Sequence, residues 1–220
     1  ASVGGKNGVN LDGYKNMIGC FNQPEFVLCD IGMLRTLSTR QFRAGMAELI
    51  KTGLIGNRVL FEMVEALTLE ELQRDPLLVS DLVMMAVKIK AEIVERDERE
   101  SGERRKLNLG HTVAHAIEKC SRKMLHGEAV AVGCVVMARL SVEMGLMPAR
   151  EADRIEAVFA RMGFALTSPV DIERLIAALR KDKKSAGDQI RIVLPTAIGR
   201  CEVRSVMFDW LDERLRQIMK

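Results

Sequence analysis

Apolar side chains recur along most of this chain at the three- and four-residue spacing that places them on one face of an α-helix. The longest such series follows the pair Asp75-Pro76, in which an aspartate can cap a helix and a proline can occupy its first position. The series consists of Leu78, Leu82, Met85, Ile89 and Ile93. It predicts a long helix that begins at Pro76.

A second stretch, 126–140, is apolar almost all round, and this pattern is typical of a helix that is buried on every side. Shorter patterns bounded by capping residues, proline or glycine predict further helices. They lie at roughly 39–55 after Ser38, after Thr68, between Pro148 and Gly163, after Pro169, and over Phe208, Leu211, Leu215 and Ile218. In the first of them, Glu48 and Lys51 are three residues apart and fit an exposed ion pair.

Strand patterns are fewer and shorter. Residues 25–30, EFVLCD, predict a short strand, and two β-rich runs between 190 and 204 surround a Pro/Gly turn and predict a hairpin. The glycine-rich opening, 1–19, favours a loop where backbone amides approach a ligand, although a flexible end has the same composition. The charged run 96–106 predicts a solvated loop. The fold is therefore expected to be mainly α, with a few short strands.

Composition narrows the function classes. With 220 residues and 48% hydrophobic content, the chain can bury a core of its own. Its net charge of +3, its scattered basic residues and its 4% aromatic content argue against a nucleic-acid partner. The longest apolar run, 129–138, is too short to span a bilayer, which argues against a membrane partner. The five scattered cysteines form no CxxC pair and are typical of reduced thiols in a cytoplasmic protein.

All three histidines of the chain fall within one short window, at His111, His115 and His126. His111 and His115 are four residues apart and share a helix face, which Asn108 and Glu118 extend into a polar stripe. Buried histidines must be hydrogen-bonded or ligated, so these could be satisfied core residues or the ligands of an open metal site. The HExxH pattern of metalloproteases is absent from the sequence.

Eight short blocks follow one another in a characteristic order along essentially the whole chain. The blocks are SVGGK, KNMIG, NQP, AELIK, DERESGERRKLNLGHTVAHAIE, LHGEAV, DKK and VLPTAIG. Their order and spacing resemble the 3-dehydroquinate synthase family. This resemblance implies an interdomain glycine-rich loop and linker at 1–24 and a helical metal- and substrate-binding domain at 25–220. It also implies that the family's N-terminal Rossmann-like NAD domain is absent from this chain.

The resemblance implies a reaction as well: 3-deoxy-D-arabino-heptulosonate 7-phosphate is converted to 3-dehydroquinate with release of phosphate, in the shikimate pathway of aromatic amino acid biosynthesis. NAD accepts and returns a hydride, and Zn²⁺ or Co²⁺ acts as a Lewis acid. The expected partner is therefore a small phosphorylated keto acid, and the full-length enzyme is expected to be a homodimer. Two alternatives stay open, a related sugar phosphate cyclase and, for the chain in isolation, a non-catalytic metal-binding domain.

Individual residues receive roles from the same resemblance. The metal ligands that it implies are Glu48, His111 and His126. The catalytic positions are His115, Lys51, Lys90, Arg104 and Asn108. Substrate contacts fall on Lys6, Asn16, Lys183 and Lys184, and NAD contacts fall on Lys6 and Lys15. His115 would lie beside the leaving phosphate and is not expected to bind the metal.

Overall fold

Helices account for most of the computed structural model, which describes residues 2–11, 14–181 and 188–219. Within these ranges the α-helices are α1 (Thr39–Gly56), α2 (Arg58–Glu65), α3 (Leu69–Arg74), α4 (Pro76–Arg96), α5 (His111–Cys120), α6 (His126–Glu143), α7 (Ala149–Arg161), α8 (Ile172–Lys181) and α9 (Phe208–Ile218). Two 3-10 helices span Ile31–Thr36 and Glu103–Asn108. The described helices include none with the length and apolar composition of a membrane span. The predicted fold class, mainly α, is confirmed.

Two antiparallel hairpins complete the described structure. Strand β1 (Lys6–Leu11) pairs with β2 (Tyr14–Phe21), and β3 (Gln189–Ala197) pairs with β4 (Arg200–Met207). The second hairpin confirms the one predicted near 190–204. Both hairpins stand apart from each other as two-stranded sheets, so the helices form the main body of the fold.

The first hairpin corrects the prediction of a glycine-rich loop at the start of the chain. Gly8 of β1 lies opposite Gly19 of β2, and a Cβ added at Gly19 would come within 2.0 Å of the Asn7 carbonyl oxygen. The glycines therefore allow the two strands to pair closely, whereas their composition alone suggested irregular backbone. The next pair in the register, Val9 and Ile18, carries the β-branched side chains expected of strands.

The predicted strand near 25–30 is wrong. This segment forms no strand, and its apolar side chains are exposed: Phe26 is 82% and Leu28 is 83% accessible. The β-forming residues of EFVLCD extend the backbone, but none of the described strands lies beside them to complete a ladder. High β-propensity without a partner strand does not make a sheet.

Capping residues begin the helices where the sequence predicted. The Ser38 side chain accepts a hydrogen bond from the Gln41 amide at the start of α1. Thr68 and Glu71 form a reciprocal capping box on α3. The Asp75 carboxylate accepts a hydrogen bond from the Leu78 amide at 2.9 Å, and Pro76 occupies the first position of α4. These local contacts satisfy amides that have no partner inside the helix.

Helix α6 forms the centre of the core. All of its residues from Gly127 to Ala138 are buried, and it packs against α1, α5, α7 and strand β3. Glu128 is the charged member of this run, and Arg40 donates two hydrogen bonds of 2.7 Å to its carboxylate. Because α6 is packed on every side, its first residue, His126, is placed between α1 and α5, where its side chain keeps contact with solvent.

The charged run 96–106 was expected to be a solvated loop, and the structure corrects this expectation. The Asp97 carboxylate accepts hydrogen bonds from the backbone N–H groups of Arg104, Gly102 and Ser101, which hold the pKa of Asp97 below its usual range. The 3-10 helix Glu103–Asn108 follows at once, and Arg104 is only 3% exposed. One carboxylate thus orders a segment that the charge pattern alone described as irregular.

We expect Asp75→Ala to lower the free energy of unfolding by about 1 kcal/mol, because the Leu78 amide would lose its capping partner. Urea denaturation followed by far-UV circular dichroism measures this change. Asp81→Ala is the matched control, since Asp81 lies exposed on the same helix. Equal losses in the two variants would show that the Asp75 cap contributes nothing specific.

Candidate metal centre

Three side chains from three different helices converge at one point. Glu48 comes from α1, His111 is the first residue of α5, and His126 is the first residue of α6. The distance from Glu48 Oε1 is 3.8 Å to His111 Nε2 and 3.4 Å to His126 Nε2. Each residue offers one ligand atom, and these atoms all lie within 4.8 Å of one another. The arrangement matches the spacing of a cation site with three protein ligands.

The carboxylate of Glu48 shows that this site fits a cation. Its Oε2 atom accepts a hydrogen bond from Lys51 Nζ at 2.8 Å, whereas its Oε1 atom is buried without a hydrogen-bond partner. Leaving a buried carboxylate oxygen without a hydrogen-bond partner costs about 1–3 kcal/mol. A divalent cation would satisfy this oxygen. One carboxylate and two imidazoles is also the ligand set of zinc sites that keep positions open for a substrate.

The same ligands are oriented by a layer of outer contacts. His111 Nδ1 lies 3.1 Å from the Leu109 carbonyl oxygen, so that this nitrogen donates and Nε2 is left to bind. His126 Nδ1 lies 3.3 Å from a Glu118 carboxylate oxygen. Lys51, which holds Glu48, also donates a 2.8 Å hydrogen bond to the Leu107 carbonyl. Such contacts fix the tautomers and the ring orientations of metal ligands.

The protonation states favour ligation. Burial, followed by the nearby charge of Lys51, lowers the pKa of His111 to about 4, so its imidazole is neutral at pH 7. Burial acts to raise the pKa of Glu48, but the contacts with His126, Lys51 and His111 outweigh it and lower this pKa, so the carboxylate is ionised. The contact with Glu48 is the main reason that the pKa of His126 is raised. A cation would therefore compete with a proton at His126.

His115 lies close to the centre without belonging to the ligand set. Its ring centroid is 5.2 Å from that of His111 and 6.4 Å from that of His126. Among the described residues, the group that could hold a metal consists of Glu48, His111 and His126 alone. His115 follows His111 by one turn of α5, so its ring lies next to the candidate ligand set.

Positive charges gather beside the carboxylate. Lys51 is 5% exposed, and Lys90 of α4 is half-buried. Burial lowers the pKa of Lys90, and the charges of Lys51, Arg104 and Lys6 lower it further. Lys51, Arg104 and Lys6 are thus near enough to Lys90 to disfavour its charge. They form a site whose electrostatics favour a multiply charged anion.

Lys6 and Asn108 are both held by Glu100. Lys6 Nζ forms an ion pair with one oxygen of the Glu100 carboxylate, and the Asn108 amide donates to the other. Glu100 has a positive φ of 59°, which is uncommon for a residue with a side chain. Our sequence reasoning missed Glu100, because the charged run around it gave no sign of this backbone conformation or of its two partners.

Arg104 is used differently from what the sequence suggested. Its guanidinium donates to the Gly4 carbonyl at 2.6 Å and to the Glu98 carbonyl, and it lies over the Phe21 ring at 5.9 Å. These contacts tie the base of the first hairpin to the segment after α4. In the structure, Arg104 therefore positions the first hairpin, and its contact with a substrate stays a prediction.

Two pairs of predicted site residues lie wholly or partly outside the described structure. Lys183 and Lys184 lie outside the described residues, and so do the side chains of Lys15 and Asn16. Asn108 was expected to continue the histidine face of α5, and this was wrong. It ends the 3-10 helix instead, and Gly110, with a φ of 77°, turns the chain before α5 begins.

Comparisons with known proteins agree with this geometry. The family model described as 3-dehydroquinate synthase C-terminal matches residues 45–185, and the one described as 3-dehydroquinate synthase N-terminal matches residues 1–44. The 3-dehydroquinate synthase of a Synechococcus strain is 46% identical over 90% of this chain, and that of Paracoccus denitrificans is 44% identical over 100%. The chain spans 56% and 61% of the lengths of these relatives.

Solved structures share the fold at lower identity. The 2-epi-5-epi-valiolone synthase of Streptomyces hygroscopicus, solved with NAD⁺ and Zn²⁺, superposes with a TM-score of 0.86 at 26% identity, over 99% of this chain and 62% of its own. A 2-deoxy-scyllo-inosose synthase, solved with carbaglucose-6-phosphate, NAD⁺ and Co²⁺, gives 0.82 at 26% identity, over 96% of this chain and 61% of its own.

We expect His111→Ala to weaken Zn²⁺ binding at least about 100-fold, because one of only three protein ligands is lost. His115→Ala should leave the dissociation constant within about threefold, since His115 is outside the ligand set. Competition with a chromophoric chelator measures both constants. Loss of Zn²⁺ binding in His115→Ala would contradict the ligand assignment.

Glu118→Ala should weaken Zn²⁺ binding about 10- to 100-fold, because His126 would lose the group that orients its ring. Glu118→Gln should have a smaller effect, since the amide oxygen can still accept a hydrogen bond from Nδ1. The same chelator competition compares them. Equal affinities in the wild-type chain and in Glu118→Ala would show that this contact does not support the site.

Proposed function

The chain belongs to the 3-dehydroquinate synthase family, and from this premise we propose that it forms the metal- and substrate-binding part of a 3-dehydroquinate synthase. In this proposal the full-length protein converts 3-deoxy-D-arabino-heptulosonate 7-phosphate to 3-dehydroquinate and releases phosphate, as a carbon–oxygen lyase of the shikimate pathway. Residues 25–220 supply the metal ligands and most cationic groups. The region that binds most of the NAD lies outside this chain. The cytoplasmic location and the homodimer remain predictions.

One observation carries the proposal: a candidate cation site with three ligands lies beside a cluster of positively charged side chains around Lys90. The candidate cation site consists of Glu48, His111 and His126. The positively charged cluster is indicated by the lowered pKa of Lys90. The proposed substrate carries a phosphate, a carboxylate and several hydroxyls. A metal suits the hydroxyls, and the cations suit the two anionic groups.

The cofactors would supply what side chains cannot: a Zn²⁺ or Co²⁺ ion held by Glu48, His111 and His126 is a Lewis acid for substrate hydroxyls, and NAD is a hydride acceptor and donor. Lys51 has three N–H donors, and two of them are used by Glu48 and the Leu107 carbonyl. Its third donor can bind a substrate oxygen next to the metal. Burial and the neighbouring charges lower the pKa of Lys90, which makes its proton easier to transfer.

On the other side of the candidate ion, His115 would lie next to the leaving phosphate. An imidazole there can donate a proton to the departing oxygen or stabilise its charge. Lys6 would bind the same phosphate, and Arg104 supports it by holding the Gly4 carbonyl two residues earlier. Glu100 keeps Lys6 and Asn108 beside each other, so both can face one ligand.

A related sugar phosphate cyclase is the second candidate, because the solved structures with this fold are synthases of valiolone and inosose products. Sequence identity favours 3-dehydroquinate synthase over the other cyclases. Relatives called 3-dehydroquinate synthase are 40–46% identical to this chain, whereas the two cyclases are each 26% identical. The non-catalytic metal-binding role applies only to the chain taken by itself.

A substrate panel on the full-length protein tests the proposal. With NAD and Zn²⁺ present, phosphate release and 3-dehydroquinate formation should be at least about 100-fold more efficient, as kcat/KM, with the heptulosonate phosphate than with sedoheptulose 7-phosphate or glucose 6-phosphate. The chain alone should fold and bind metal without NAD-dependent turnover. Preference for either of the other sugars would favour the second candidate. Turnover by the chain alone would contradict the proposed division of the cofactor sites.

A further inference from the structure

Helix α6 approaches two neighbouring backbones more closely than any side chain would allow. A Cβ added at Gly127 would lie 1.9 Å from the carbonyl oxygen of Ala44 in α1. A Cβ added at Gly133 would lie 2.0 Å from the carbonyl oxygen of Gly110. Contacts under 3.0 Å are essentially never made by real Cβ atoms, so either alanine would force the neighbouring backbones apart.

Both approaches lie beside the ligands of the candidate metal centre. Gly127 directly follows His126, and its contact at Ala44 lies one helical turn before Glu48. Gly133 contacts Gly110, and Gly110 directly precedes His111 in the sequence. The two glycines of α6 therefore fix that helix, which carries His126, against the elements that carry the other two ligands.

The turn at Gly110 connects the second contact to the outer layer of the site. Gly110 has a φ of 77°, a conformation that favours glycine. Leu107 and Leu109 lie three residues and one residue before it. Their carbonyls accept the hydrogen bonds of Lys51 and His111. A displacement of this turn would therefore move a ligand and two of the groups that orient the ligands.

We propose that Gly127 and Gly133 are positioning residues whose lack of a side chain sets the distances among Glu48, His111 and His126. The inference rests on the cation site of the proposed function. An added methyl group would force the neighbouring backbone to move by about 1 Å, because the contacts of 1.9 and 2.0 Å would have to lengthen to at least 3.0 Å. Metal–ligand distances tolerate changes of only about 0.2 Å. The glycines thus act on the spacing of the ligands as well as on the packing of α6.

The chain offers two matched controls for this role. Gly45 lies inside α1, three residues before Glu48, and a Cβ there would meet nothing within 4 Å. Gly53, also in α1, packs against Phe61 of α2, and its added Cβ would lie 3.0 Å from the Phe61 nitrogen. Gly45→Ala therefore tests the substitution itself, and Gly53→Ala tests a tight helix contact that joins no two ligand-bearing elements.

The experiment compares Gly127→Ala, Gly133→Ala and the two controls in the 220-residue chain after chelator treatment. Each protein is titrated with Co²⁺, whose visible absorption reports both affinity and ligand geometry. Gly127→Ala and Gly133→Ala should raise the dissociation constant about tenfold or more and change the spectrum. Both controls should stay within about twofold and keep the wild-type spectrum. Urea denaturation of the metal-free proteins measures packing separately, and Gly53→Ala should lose stability there without losing affinity.

The possible failures are distinguishable. If the wild-type chain does not bind Co²⁺, the proposed cation site is wrong. If the wild-type chain binds and both site variants bind with the same affinity and spectrum, the positioning role is overturned. Loss of the helical circular dichroism signal in both variants would also overturn it, because the glycines would then be general packing residues.

Discussion

The burial of α6 from Gly127 to Ala138 is the constraint on which the rest of this structure depends. Because this part of the helix is apolar almost all round, it must be surrounded, and α1, α5, α7 and β3 pack around it. Its polar first residue, His126, is therefore carried to a position between two other helices, where His111 and Glu48 meet it. A hydrophobic requirement thus places three candidate metal ligands together, although they come from distant parts of the sequence.

At the site itself, one carboxylate balances opposing terms. Burial disfavours the charge of Glu48, and the contacts with His126, Lys51 and His111 outweigh burial, so the group is ionised. The same burial keeps His111 neutral, with a pKa of about 4. Neither state follows from residue type alone. Both follow from where the helices place these groups, which is why the packing of α6 and the chemistry of the centre cannot be separated.

The sequence predicted the helices well because their signals are local. A capping aspartate and an apolar spine determine α4 without reference to distant residues. The hairpin at β1 and β2 was missed because its segment is rich in glycine, and glycines such as Gly19 resemble loop residues until the strand opposite them is known. Glu48 shows the same limit at the site. Its local pattern with Lys51 fits an exposed ion pair, and only the family resemblance joined it to histidines that lie far along the chain. Glu100 lies inside the longest of the eight blocks, but neither its local pattern nor the resemblance assigned it a role.

The arrangement of elements also suggests how one scaffold can serve several substrates. The candidate metal ligands come from α1, α5 and α6, which are fixed to one another by buried backbone contacts. The cations come from other places as well: Lys6 lies at the start of the first hairpin, Lys90 on α4, and Arg104 in the 3-10 helix. If these peripheral groups contact the anionic groups of the substrate, as proposed, they can differ between relatives while the centre stays in place. Solved cyclases with different products superpose on this chain at TM-scores of 0.86 and 0.82 with 26% identity, as expected if the packing around the centre is retained and the groups around it vary.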